Sequence, residues 1–257
     1  MSMTSIFRVG FLSTFLILAL AGTSAADEPL PAEDALARSI LEKSDEIRYP
    51  SNAFQVDVDI ASFSSDAATE KRKYRILSKG NDNTVVMILE PASERGQIML
   101  MKGRDLWVFM PNVSQPIRLG LAQRLTGQVA NGDLARANFS GDYTPRLLRS
   151  EKLDGEDYYV LELLAVDRGV TYHRVLLWVN KSNYRPRKAE FYALSGRLLK
   201  TSSYENFENQ AGRQRPTRML IQDALKPADR SVLEYKNMVL RDLPDKVFSK
   251  DYLKKLQ

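Results

Sequence analysis

From Phe54 to Phe63 the chain reads FQVDVDIASF. Phe54, Val56, Val58 and Ile60 fall on one side of an extended strand, and Gln55, Asp57 and Asp59 fall on the other. A period of two predicts a half-buried antiparallel strand. Lys71–Gly80 alternates less cleanly. Asn83–Glu90 (NTVVMILE) and Gly96–Gly103 (GQIMLMKG) are apolar on both faces. So is the run that follows: Trp107 and Phe109 point one way, and Leu106, Val108 and Met110 the other. A strand apolar on both faces lies between two layers. In an antiparallel protein one layer can be a helix, and the other a ligand or a second sheet. Further strand patterns follow residue 143, broken by legible turns at Asp154-Gly155, Asn180–Asn183 and Ser195-Gly196. About eleven strands, thirteen at most, joined by short turns, predict a mainly β, single-domain barrel or sandwich.

Helical patterns are few. PAEDALARSILEKSDEIRY has Pro31 at a first turn, Glu33 and Asp34 at the positive end of the dipole, and an apolar stripe through Ala35, Leu36, Ile40 and Ile47. Leu121–Thr126 and Asp133–Asn138 are expected as short helices that interrupt the strands. A last one begins at Ser249, a suitable cap, with Asp251 in its first turn.

The amino terminus adds an address. Arg8, an apolar run from Phe11 to Leu20, and small residues up to Ala26 have the order of an export signal over residues 1–26, cleaved near Ala25 or Ala26. The run is short for a membrane span, which takes about 20 residues. The remaining domain is then 27–257. There is no cysteine, so neither a disulfide nor a lipid-modified cysteine anchor is expected, and the fold depends on its own packing. In a Gram-negative host this address is the periplasm. With Arg8 removed, the 37 Lys and Arg fall by one against 32 Asp and Glu, leaving +4. That small positive balance suits transient contact with anionic lipid headgroups. No motif points to nucleic acid.

The chemistry of a catalyst is missing. His173 is the only histidine, so a three-histidine metal site is impossible and no cofactor is expected. No nucleophile elbow, phosphate loop or dinucleotide fingerprint occurs. The expectation is therefore a non-enzyme. What remains is a surplus of apolar residues on strands, with Met87, Met99, Met101 and Met110 among them. Methionine is flexible and adapts to ligands of variable shape.

LWVFMPNVSQPIRL, the interruption ending in GDLARANFSGDYTP, and HRVLLWVNKSNYRPRKAEFYALSGRLLKTSSYENF occur in that order. In these segments the chain resembles the outer-membrane lipoprotein-sorting proteins, the group related to the periplasmic lipoprotein carrier LolA. The resemblance implies an incomplete, half-open antiparallel β-barrel with covering helices and an apolar cavity. Acyl chains of a lipoprotein or lipid enter that cavity, with an inner-membrane exporter as donor and an outer-membrane acceptor. It also implies movable parts, expected at the first helix and Leu121–Asn138. In the carrier an arginine inside the barrel ties down the lid, and no motif here places it. The expected cavity lining is Trp107, Phe109, Met99, Met101, Val86 and Trp178. The alternative use of the fold is a periplasmic regulatory module that binds a protein partner of the anti-sigma-factor type.

Overall fold

The alternation along Phe54–Phe63 becomes a strand whose side chains are buried and half-buried in strict succession. The computed structural model describes residues 32–65, 69–136 and 138–253; the expected export signal lies outside them. A helix, α1 (Ala32–Arg48), precedes β1 (Phe54–Phe63), β2 (Glu70–Lys79), β3 (Asn83–Glu90), β4 (Ile98–Lys102), β5 (Asp105–Phe109) and β6 (Ile117–Leu119). A hairpin of β7 (Arg124–Thr126) and β8 (Val129–Ala130) and a short helix α2 (Asn131–Ala135) follow. The chain then builds β9 (Tyr143–Leu153), β10 (Glu156–Ala165), β11 (Arg174–Asn180), β12 (Pro186–Tyr192), β13 (Leu198–Gln210), β14 (Arg213–Asp223) and β15 (Arg230–Leu240). It ends in a 3₁₀ turn, Asp245–Phe248, and α3 (Lys250–Leu253).

Among the described residues, thirteen strands form one sheet in the order β6-β5-β4-β3-β2-β1-β15-β14-β13-β12-β11-β10-β9. Two meanders, β1–β6 and β9–β15, are joined where β1 pairs antiparallel with β15, Phe63 opposite Arg230. The free edges are β6 and β9, so the sheet is not closed into a barrel. Along the chain, β6 and β9 follow one another among the strands of the main sheet. The chain between them, residues 120–142, must pass from one edge to the other, and this is why it lies over the open side. It is the lid segment.

The sheet has two different faces. The inner one carries the largest cluster, which includes Val56, Val58 and Ile60 of β1, Tyr74, Val86, Met101, Leu161 and Leu177, closed by Ala37, Ile40 and Leu41 of α1 and by Leu121, Val129 and Leu134 of the lid segment. On the outer face of β3–β5, Val85, Ile98, Leu100 and Phe109 pack under Leu243, Val247, Phe248 and Leu253 from the carboxyl-terminal segment. A third cluster, Tyr158, Val160, Leu176 and Trp178, lies on the outer face of β10 and β11.

Two sequence expectations are corrected here. Leu121–Thr126 is not a helix: its second half is β7. Thr126 Oγ1 donates to Glu70 at 2.9 Å and Gln128 N–H to Ser231 Oγ at 2.9 Å, and these bonds hold the hairpin extended against β1, β2 and β15. The turn needs Gly127, which has a φ of +49° and sits against Ser62 and Ser231, where a Cβ would collide with both hydroxyls. The buried stripe of α1 is also rotated from the expected one. Ile40 and Ile47 of the expected stripe are buried, but Ala35 and Leu36 are exposed, Leu36 by 45 %, and Ala37, Leu41, Ser44, Asp45 and Arg48 complete the buried face. The stripe turns polar at its end, where Asp45 accepts hydrogen bonds from Phe139 and Ser140 of the lid segment.

Candidate functional site

The carboxyl end of α1 points into the inner face. Arg48 in its last turn suits the negative end of the helix dipole, and Pro50 follows two residues later. The last carbonyls are capped from the sheet: Arg215 Nη1 on β14 donates to Glu46 O at 2.6 Å and Ile47 O at 3.3 Å. Burial, with Arg213 beside it, pushes the Arg215 guanidinium down to about 10.

Asp45 and Arg48, three apart on one helix face, tie α1 to the lid segment. Arg48 Nη1 donates to Asp45 Oδ1 at 3.0 Å. The same carboxylate accepts Phe139 N–H at 3.2 Å, Ser140 N–H at 2.7 Å and Ser140 Oγ–H at 2.7 Å. The Arg48 guanidinium lies 4.1 Å from the Phe139 ring centroid and 5.6 Å from those of Tyr49 and Tyr204. Burial works against its charge. Tyr204, Asp45, Tyr49 and Tyr235 outweigh that and hold its pKa above the ordinary arginine value.

A second latch ties the lid segment to one end of the sheet. Arg136, just past α2, donates its Nε and Nη2 to the Asp142 carboxylate. Its Nη1 reaches Asn81 O and Gly103 O, each at 2.8 Å, in the β2–β3 and β4–β5 turns. Arg104 Nε adds a bond to Asp142 at 3.1 Å, and Asn81 Nδ2 donates to Ser140 O at 2.9 Å. Both charges of the Arg136–Asp142 pair are buried, and such a pair holds only when its hydrogen bonds are met. On the opposite side, Tyr172 OH donates to Asp133 at 2.8 Å, while Lys200 Nζ reaches Gln128 O and lies 5.3 Å from the Tyr172 ring centroid. Burial lowers the Lys200 pKa.

These latches enclose a small cavity lined by Arg48, Tyr49, Asn138, Phe139, Tyr172 and Tyr204 among others, of about 30 Å³. That holds about two waters and is far short of an acyl chain. The expected apolar cavity is thus closed in this conformation, filled by aromatic rings and the arginine. Among the described residues no group of His, Asp and Glu is placed to hold a metal ion.

The six residues expected as lining fall into three places. Val86, Met99 and Met101 are together in the inner cluster. Trp107 and Phe109 face the other way, under Val247, Phe248 and Leu253, with Lys250 Nζ 5.9 Å from the Trp107 ring centroid. Trp178 is on the outer face of β11, where Lys188 Nζ lies 4.0 Å from its ring centroid. Strand alternation made Trp107 and Phe109 a pair, but nothing in the alternation told inside from outside. The latch residues Asp45, Arg48, Asn81, Arg136 and Asp142 were not singled out in the sequence. The available signal was the continuation of the α1 stripe from Leu41 through Ser44, Asp45 and Arg48: charged residues at helical spacing on a buried face need partners.

A protein-family model described as that of an uncharacterized protein matches residues 80–255. Among solved structures, a LolA superfamily protein from Nitrosomonas europaea is 68 % identical, over 84 % of this chain and 98 % of that one, with a TM-score of 0.81. A domain from Vibrio parahaemolyticus ascribed to outer membrane lipoprotein sorting shares the fold at 21 % identity, covering 86 % of this chain and 99 % of that one, with a TM-score of 0.74. A DUF1329 family protein from Desulfovibrio piger does so with the same identity, coverage and TM-score. No curated protein matches the chain.

Proposed function

The chain belongs to the LolA superfamily, and from that premise we propose that it is a periplasmic carrier: its inner sheet face receives acyl chains of a lipoprotein or lipid and passes them from the inner to the outer membrane. In this reading residues 1–26 are the export signal, an inner-membrane exporter is the donor, and an outer-membrane component is the acceptor. Val86, Met99 and Met101 are part of the wall that the chains meet.

The observation that carries the proposal is how the inner face is covered. The wall is apolar, but α1 and the lid segment are held over it by the side-chain bonds of Asp45, Arg48, Arg136 and Asp142. Such a cover can lift while the sheet stays intact. An ordinary hydrogen bond contributes about 1 kcal/mol net, and a buried ion pair more. Each methylene taken from water gives about 0.8 kcal/mol, so one acyl chain of ordinary length offsets several latch bonds. The surplus is moderate, as a carrier that must also release its load requires.

Native mass spectrometry of the protein recovered from its own cell envelope tests this. Co-purifying lipid or acylated protein, on a chain beginning near Asp27, is the expected result. A stable protein partner with no lipid would replace the carrier with a regulatory binding module.

A further inference from the structure

Arg48 offers more hydrogen-bond donors than the latch uses. Among the described residues its one hydrogen bond is Nη1 to Asp45. Its Nε is buried with no hydrogen-bond partner, as is Asn138 Oδ1, and both residues line the small inner cavity. Arg48 as a whole is 9 % exposed. A buried N–H left unmatched costs about 1–3 kcal/mol, so the group favours any ligand that brings an acceptor to it.

The charge of the surroundings decides which acceptor. Arg48 faces Asp45, Arg136 faces Asp142, and Lys200 has Asp133 as its main attractive charge. With Arg104, which shares Asp142, and Asp82, which shares Arg136, four cations meet four anions. An ionised carboxylate or phosphate brought inside would add a buried negative charge with no counter-ion, which is costly in an apolar interior. A neutral carbonyl oxygen accepts the same N–H without that cost. We propose that Arg48 Nε recognises the carbonyl oxygen at the root of an acyl chain, ester or amide, so that the cargo binds carbonyl inward at Arg48 with its methylenes along the inner wall. The proposal rests on the carrier reading and adds the class of headgroup. Asn138 Oδ1, an acceptor on the same cavity, distinguishes the two sources: an amide brings an N–H as well and an ester does not.

The test uses the full chain and four C12 probes: methyl dodecanoate, N-methyl dodecanamide, dodecanoate ion and dodecane. Affinities are read by displacement of a fluorescent apolar dye. The wild-type protein should bind the ester at least roughly tenfold tighter than the alkane, the scale of a hydrogen bond from a charged donor, and tighter than the carboxylate ion. An amide tighter than the ester assigns Asn138 to the site as well; an amide equal to the ester leaves the carbonyl alone as the recognised group. In Arg48→Leu the ester-to-alkane ratio should fall to near one. If that variant fails to fold, the carbonyl ¹³C resonance of labelled ester on wild-type protein decides: a downfield shift on binding supports the bond. Ester and alkane bound equally, or the carboxylate ion bound best, would overturn the inference and leave the carrier reading standing. Failure of all four probes to bind would remove the carrier reading itself.

Discussion

Gly127 shows how much the cover depends on single atoms. Its amide lies in the turn of the β7–β8 hairpin at a positive φ, and the place of a side chain is taken by the Ser62 and Ser231 hydroxyls, 2.9 Å apart and hydrogen-bonded. Gly127→Ala forces both hydroxyls aside and keeps an L residue in a left-handed conformation. Overpacking of this kind costs about 1–3 kcal/mol. The expected outcome is a lower urea midpoint at unchanged m-value, with part of the loss recovered by Ser62→Gly, which vacates the space. A Gly127→Ala protein as stable as the parent would mean that the hairpin does not press on β1 and β15. The other decisive residues act through polar bonds, and the sequence hides them for a physical reason. An aspartate or arginine in a helix is most often solvated, and only the partner's position, here nearly a hundred residues away at Phe139 and Ser140, distinguishes a latch from a surface pair.

At the scale of elements, strands were legible wherever one face was wet. β1 keeps the bounds that alternation predicts, Phe54–Phe63. Where both faces are dry, as at β4 and β5, the strand was legible but its sidedness was not, since Leu106 under the lid and Trp107 under the carboxyl-terminal segment are equally apolar. The β7–β8 hairpin escaped because its strands are too short to show a period and its shape is set by tertiary bonds. α1 is the element whose mobility the carrier reading requires, and its link to the lid can be tested locally. Asp45→Asn removes the charge that accepts the Phe139 and Ser140 amides and leaves Arg48 without its counter-ion. Amide exchange at Phe139 and Ser140 should quicken, while Val58 and Val160 in the sheet keep their protection. Equal acceleration across the sheet would show that lid and wall open only together, which is incompatible with a cover that lifts on its own.

For the described fold as a whole, the inner face has the unusual property of burying phenols around a cation. Tyr49, Tyr74, Tyr143, Tyr172, Tyr204 and Tyr235 all have pKa values raised above the usual tyrosine value, with burial as the leading cause in each; Tyr74 is pushed up to about 12. Arg48 pulls several of them down and Asp133 raises Tyr172 further, but desolvation dominates. The sign of the resulting pH dependence follows from linkage. In the unfolded chain these phenols lose their protons near pH ~10; in the folded chain they hold them higher. Their contribution to stability is therefore complete below about pH 10 and is lost as pH climbs through the raised folded values. Lys200 acts in the opposite sense, because its folded pKa is lowered: its unfolded form binds the extra proton, and stability rises with pH between that lowered value and about 10.4. Arg215, whose folded value is pushed down to about 10, acts in the same sense as Lys200, and six groups outweigh two. Urea midpoints should fall steeply above about pH 10, and tyrosinate absorbance should appear together with the loss of native circular dichroism rather than before it. Titration of all eleven tyrosines at their ordinary value in a still-folded protein would show that water already reaches the inner face, and a face already wet would not gain the burial energy on which uptake of an acyl chain depends.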